Sequence, residues 1–78
     1  MIFLLEYDRR RGRLVTFKRF RDTNRLAAEK ERLDLELWNN QRGRSTEIVL
    51  LEAATERALR VTHRRYFQNL RQIIEATT

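Results

Sequence analysis

The sequence predicts a small α+β domain whose elements run β-β-α-β-α. Three observations lead there. Two runs of branched and aromatic residues flank a glycine-bearing turn, a third apolar run is short, and two longer segments repeat their apolar residues at helical spacing. The chain has 78 residues, no proline, no cysteine and no repeat or linker composition, so residues 1–78 read as one domain.

Residues 2–8 and 14–20 are the first two expected strands. Between them Arg9-Arg10-Arg11-Gly12-Arg13 forms the turn, with Gly12 at the left-handed position of a three-residue loop. That register sets Arg9 opposite Arg13, Tyr7 opposite Val15, Leu5 opposite Phe17 and Phe3 opposite Arg19. It collects Phe3, Leu5, Tyr7, Val15 and Phe17 on one face. The opposite face carries Ile2, Leu4, Leu14 and Phe20 beside Glu6, Thr16 and Lys18. Four large apolar groups are too many to leave in water, so either a helix or another protein surface is expected to cover them.

Asp22 or Thr23 is suited to cap the first helix, because a short side-chain oxygen can accept from the free amides of the first turn. Residues 24–38 are strong helix formers. Leu26, Leu33 and Leu37 align as the apolar stripe, with Ala27 and Trp38 at its margin, while Ala28 and Leu35 point the other way. Asn39 to Ser45 reads as a loop with Gly43 at a special dihedral position. The run Ile48-Val49-Leu50-Leu51 within residues 46–53 is the third strand, with the continuous apolar character of a strand buried on both faces. A right-handed crossover makes it parallel to the second strand. The order 2-1-3 centres the more apolar first strand in a three-stranded mixed sheet. Thr55 caps a last helix over 56–76, whose apolar stripe comprises Leu59, His63, Tyr66, Phe67, Leu70, Ile73 and Ile74. Such a helix is ~31 Å long, against ~26 Å for an eight-residue strand, so its end is expected to overhang the sheet.

Composition narrows the function classes. Without cysteine there are no disulfides or thiolate metal sites, and a single histidine makes a transition-metal site a poor expectation; no cofactor is predicted. The apolar start is too short for a signal peptide and no apolar run reaches the ~20 residues of a membrane span, which together predict a cytoplasmic protein. The formal net charge is +6, and the basic residues are arginine except for Lys18 and Lys30. Residues 1–21 carry +5, residues 22–55 carry −2 and residues 56–78 carry +3. A balance of this kind suits nucleic acid, or an acidic protein, as partner.

Two arginine clusters are candidate contacts. Arg9, Arg10, Arg11 and Arg13 surround the hairpin tip, and guanidinium forks match phosphate oxygens in pairs. Arg57, Arg60 and Arg64, with Arg71 further on, share one sector of the last helix. Each cluster also has a plain reading as a solvated turn or polar helix face, next to Glu6 and Asp8 or to Glu56 and Glu75. His63 beside Tyr66 is the best titratable candidate for proton transfer, but it has no partnered nucleophile and no oxyanion loop, so no enzyme is predicted. The surplus apolar residues Ile2, Leu4, Leu14, Phe20 and Leu35 are expected at a homodimer interface. The function expected is a homodimeric binding protein that contacts nucleic-acid phosphates. The alternative is a protein–protein module with no nucleic-acid role.

Overall fold

A computed structural model of the protein describes residues 1–67. Leu70, Arg71, Ile73, Ile74 and Glu75 of the expected last helix lie outside the described residues. The elements are β1 (Ile2–Asp8), β2 (Arg13–Phe20), α1 (Arg25–Gln41), β3 (Glu47–Glu52) and α2 (Glu56–Thr62). Short 3-10 turns precede α1 at Asp22–Asn24 and follow α2 at Arg64–Tyr66.

The strands form one sheet in the order β2-β1-β3, with β1 at its centre. β1 is antiparallel to both neighbours. β3 therefore runs in the same direction as β2, but β1 separates them, and the sheet is antiparallel throughout rather than mixed. Central placement suits β1: Ile2, Phe3, Leu4 and Leu5 are all fully buried. β3, expected to be buried on both sides, is half-buried over most of its length because it is an edge strand.

The hairpin follows the expected register from Phe3↔Arg19 to Leu5↔Phe17, then shifts between Glu6 and Tyr7. Tyr7 pairs with Leu14 instead of Val15, and Asp8 with Arg13. A shift of one residue exchanges the faces of a strand. Leu14 thus joins the core under α2, while Val15 is turned out and 44% exposed. The loop spans Arg9 to Gly12 and is closed by Gly12 N–H donating to Asp8 O at 2.8 Å. Gly12 has φ +64°, the left-handed conformation expected of it.

The two helices take opposite faces. Phe3, Leu5 and Tyr7 pack with Leu59 of α2 and with Tyr66, joined by Leu14, Phe17, Val49, Leu51 and Phe67. Phe3 stacks on Phe17, and Tyr7 meets Tyr66 edge to face at 5.3 Å between centroids. On the other face Ile2, Leu4 and Glu6 lie under α1, which contributes Ala28 and Asn39 as buried residues. The apolar second face of the hairpin is therefore covered within the chain. Ile2 and Leu4 are 0% exposed, Phe20 and Leu35 are half-buried, and Leu14 belongs to the α2 side. These five residues do not make the shared outward surface that a sheet-face homodimer needs.

Both helices depart from their expected form. α1 turns Ala28 and Leu35 toward the sheet, and leaves Leu26 82% exposed and Leu33, Leu37 and Trp38 about half-exposed. Its N-cap is Asn24, with no side-chain cap hydrogen bond, while Asp22 pairs with the N-terminal amine at 2.7 Å. Gly43 closes its C-terminus at φ +68°, with Gly43 N–H donating to Asn40 O and Arg44 N–H to Asn39 O. α2 starts as expected, Thr55 Oγ1 accepting from Ala58 N–H at 3.1 Å. It ends at Thr62, with His63 at φ −121° and ψ 50°. The Thr62 hydroxyl donates back to Ala58 O, and the following turn seats Tyr66 against Tyr7. Tertiary packing of that ring replaces the continuous helix that periodicity suggested.

Candidate functional site

The hairpin tip and the α1–β3 loop meet at one end of the sheet. Arg10 and Arg11 from the tip, with Gly43, Arg44, Ser45 and Thr46 from the loop, line an open groove whose floor includes Asp8. Asp8 is committed to the turn: its Oδ1 accepts from the backbone N–H groups of Arg10 and Arg11 at 3.0 and 3.2 Å. Its Oδ2 lies 3.8 Å from Arg11 Nε. The carboxylate thus organises the tip and makes no ion pair with the Arg10 guanidinium.

Glu47 anchors the neighbouring side. Arg9 reaches it at 3.2 Å and Arg65, after α2, at 2.9 Å. Burial pushes the Glu47 carboxyl up, but the hydrogen bonds from Arg65 and Arg9 outweigh this and hold it below the usual carboxylate range. Arg65 also donates to Tyr66 Oη at 2.6 Å and lies over that ring. Burial and the nearby Glu47 raise the Tyr66 phenol.

Of the hairpin arginines, Arg9 and Arg11 are thus ion-paired, whereas Arg10 and Arg13 have no ion-pair partner among the described residues. Arg42 and Arg44 from the loop are likewise unpaired there, and Arg42 stacks over the exposed Trp38 ring at 3.9 Å. The helix cluster also converges: Arg57, Arg60 and Arg64 line a groove with Val61 and Phe67. Arg60 pairs with Glu56 at 3.3 Å and stacks over Phe67, which leaves Arg57 and Arg64 unpaired among the described residues.

The sequence does not single out Arg42, Arg44 or Trp38 as contacts, and it sets Arg65 only beside the stripe of Arg57, Arg60 and Arg64. Arg42 and Arg44 sit in a segment whose net charge is negative, and only the meeting of two loops turns them into part of a basic surface. The Arg-Gly-Arg pattern at 42–44, resembling Arg11-Gly12-Arg13, is the signal that could have found them. His63 is half-buried at the end of α2, its ring tilted against Tyr66 with centroids 6.3 Å apart. Among the described residues no three His, Asp or Glu side chains gather as a metal site, and no helix is long and apolar enough to cross a membrane.

Beneath α1, Glu6 is a second polar centre, 3% exposed. Thr16 Oγ1 donates to one carboxylate oxygen at 2.8 Å, and Asn39 Nδ2 and Thr46 Oγ1 donate to the other at 2.7 and 2.9 Å. Burial alone would raise this carboxyl, but these three donors, helped by the charge of Arg44, bring it below its ordinary value. Every oxygen of the carboxylate is used internally, so Glu6 positions the α1–β3 loop rather than facing a ligand.

No family model, curated protein or solved structure matches this chain.

Proposed function

We propose that this protein binds nucleic acid through its phosphates, using the arginine-lined end of the sheet and the adjoining surface of α2. The observation that carries the reading is the groove between the hairpin tip and the α1–β3 loop. There Arg10 and Arg44 line one groove with Ser45, Thr46 and the small Gly43, and neither arginine has an ion-pair partner among the described residues. Guanidinium forks match phosphate oxygens, and the Ser45 hydroxyl adds a neutral hydrogen bond to the same group, the Thr46 hydroxyl being committed to Glu6. The α2 surface adjoins through Arg65, which shares Glu47 with Arg9 and precedes the Tyr66–Tyr7 contact. Contacts of this kind position a backbone and do not read base sequence.

The test is binding of a short labelled duplex and of single-stranded DNA and RNA, followed by fluorescence anisotropy as salt is varied. Affinity should fall linearly in log–log form, with a slope of about −0.9 per phosphate contacted on duplex DNA. Absence of binding to all three at ~50 mM salt overturns the reading. The alternative, a protein–protein module, draws its support from the exposed apolar side of α1.

A further inference from the structure

The outward side of α1 is more apolar than the side it turns to the sheet. At 100° per residue Leu26, Leu33 and Leu37 fall within a narrow sector, opposite the sheet-facing Ala28, Leu35 and Asn39. The helix is held in that orientation by polar contacts to the sheet. Asn39 donates to buried Glu6, Lys18 pairs with Glu31 at 2.7 Å, and Arg25 pairs with Glu52. Rotating the leucines inward would strip a buried carboxylate of a donor, which is costly. The leucines are left facing out.

We propose that a second copy of this chain docks on this face, α1 against α1 and antiparallel. The stripe Leu26, Lys30, Leu33, Leu37 has the alternating four- and three-residue spacing of a two-helix seam. In an antiparallel pair, Leu26 of each copy packs against Leu37 of the other, and the stem of Lys30 against Leu33. A two-fold axis keeps each flank of one helix on the same flank of its mate. The Lys30 ammonium then lies beside Asp34 of the second copy, twice per dimer.

Charge complementarity selects this occupant. Lys30 and Asp34 are both exposed, and neither has an ion-pair partner among the described residues. Within one helix they are four apart with the lysine first, the less favourable order for pairing. Between antiparallel copies each finds its opposite. On the other flank Glu36 faces Glu29 of the second copy, a like-charge contact that Arg32, 3.6 Å from Glu36, partly offsets. The leucine stripe and the Lys30–Asp34 flank are thus complementary to their own copies.

Sedimentation velocity of the full chain over a concentration series tests the proposal. The wild type should show a concentration-dependent monomer–dimer equilibrium. Leu33→Asp should weaken it at least about tenfold while leaving the far-ultraviolet circular dichroism unchanged, because Leu33 is 52% exposed in the single chain. Lys30→Asp should weaken association and the double variant Lys30→Asp/Asp34→Lys should restore it, a rescue that does not depend on the leucine variant. A wild type that stays monomeric to ~1 mM, or a dimer indifferent to Leu33→Asp, overturns the proposal. Failure of the charge exchange to restore association overturns the antiparallel register.

Discussion

Glu6 carries more of this fold than its class of side chain suggests. A carboxylate at 3% exposure on the central strand is tolerated because Thr16, Asn39 and Thr46 all donate to it. Replacing it by glutamine puts an amide where acceptors are needed, and we expect a loss of about 1–3 kcal/mol in urea unfolding. The same carboxyl sets an acid limit. Its folded pKa lies below the unfolded value, as does that of Glu47. The stabilisation is therefore fully present above the unfolded carboxylate pKa and is lost as pH falls through the lowered, folded one. Thermal midpoints should drop on that acid side, and Glu6→Gln should flatten the drop. A wild-type profile equally flat there would contradict this account.

At the scale of elements, ends matter as much as interiors. Gly43 terminates α1 so that the chain can turn into β3, and Gly12 closes the hairpin at positive φ. A Cβ on Gly12 would meet only Tyr7 Oη at 3.8 Å, so the cost of Gly12→Ala is conformational. We expect a destabilisation of about 1–2 kcal/mol, read as a lower thermal midpoint. α2 is only 7 residues long, too short to persist without its cap and its buried Leu59. Thr55→Ala should cost about 1 kcal/mol, and amide exchange should quicken first in α2 rather than in β1. Equal protection of both would show that the helix does not depend on its cap.

Over the whole molecule, charge is distributed unevenly between the two ends of the sheet. At the end where β1 begins, Arg25 pairs with Glu52 and Arg19 lies 4.0 Å from Glu56. At the other end Arg10, Arg13, Arg42 and Arg44 outnumber the available carboxylates, since Asp8 and Glu47 already serve Arg11, Arg9 and Arg65. If the phosphate reading holds, Arg10→Ala with Arg44→Ala should reduce the salt slope of duplex binding by about two. Arg19→Ala with Arg25→Ala should leave it nearly unchanged, although the net charge of the two double variants is the same. Equal loss in both would mean that overall charge, rather than this groove, attracts the polyanion.

Much of this architecture was legible in the residues. Dense branched and aromatic runs marked the three strands, the apolar character of β1 put it at the centre, and Gly12, Gly43 and Thr55 declared the turns and the cap they form. Those are local properties, and backbone sterics or a single short-range hydrogen bond express them. The turning of α1 was not legible, because periodicity reveals an apolar stripe but not which side meets the sheet. That choice rests on Asn39 reaching Glu6 across 33 residues of sequence. The exchange of Val15 for Leu14 and the break at His63 have the same origin. Each satisfies or packs a group supplied by a distant part of the chain, and such pairings exist only once the sheet has brought those parts together.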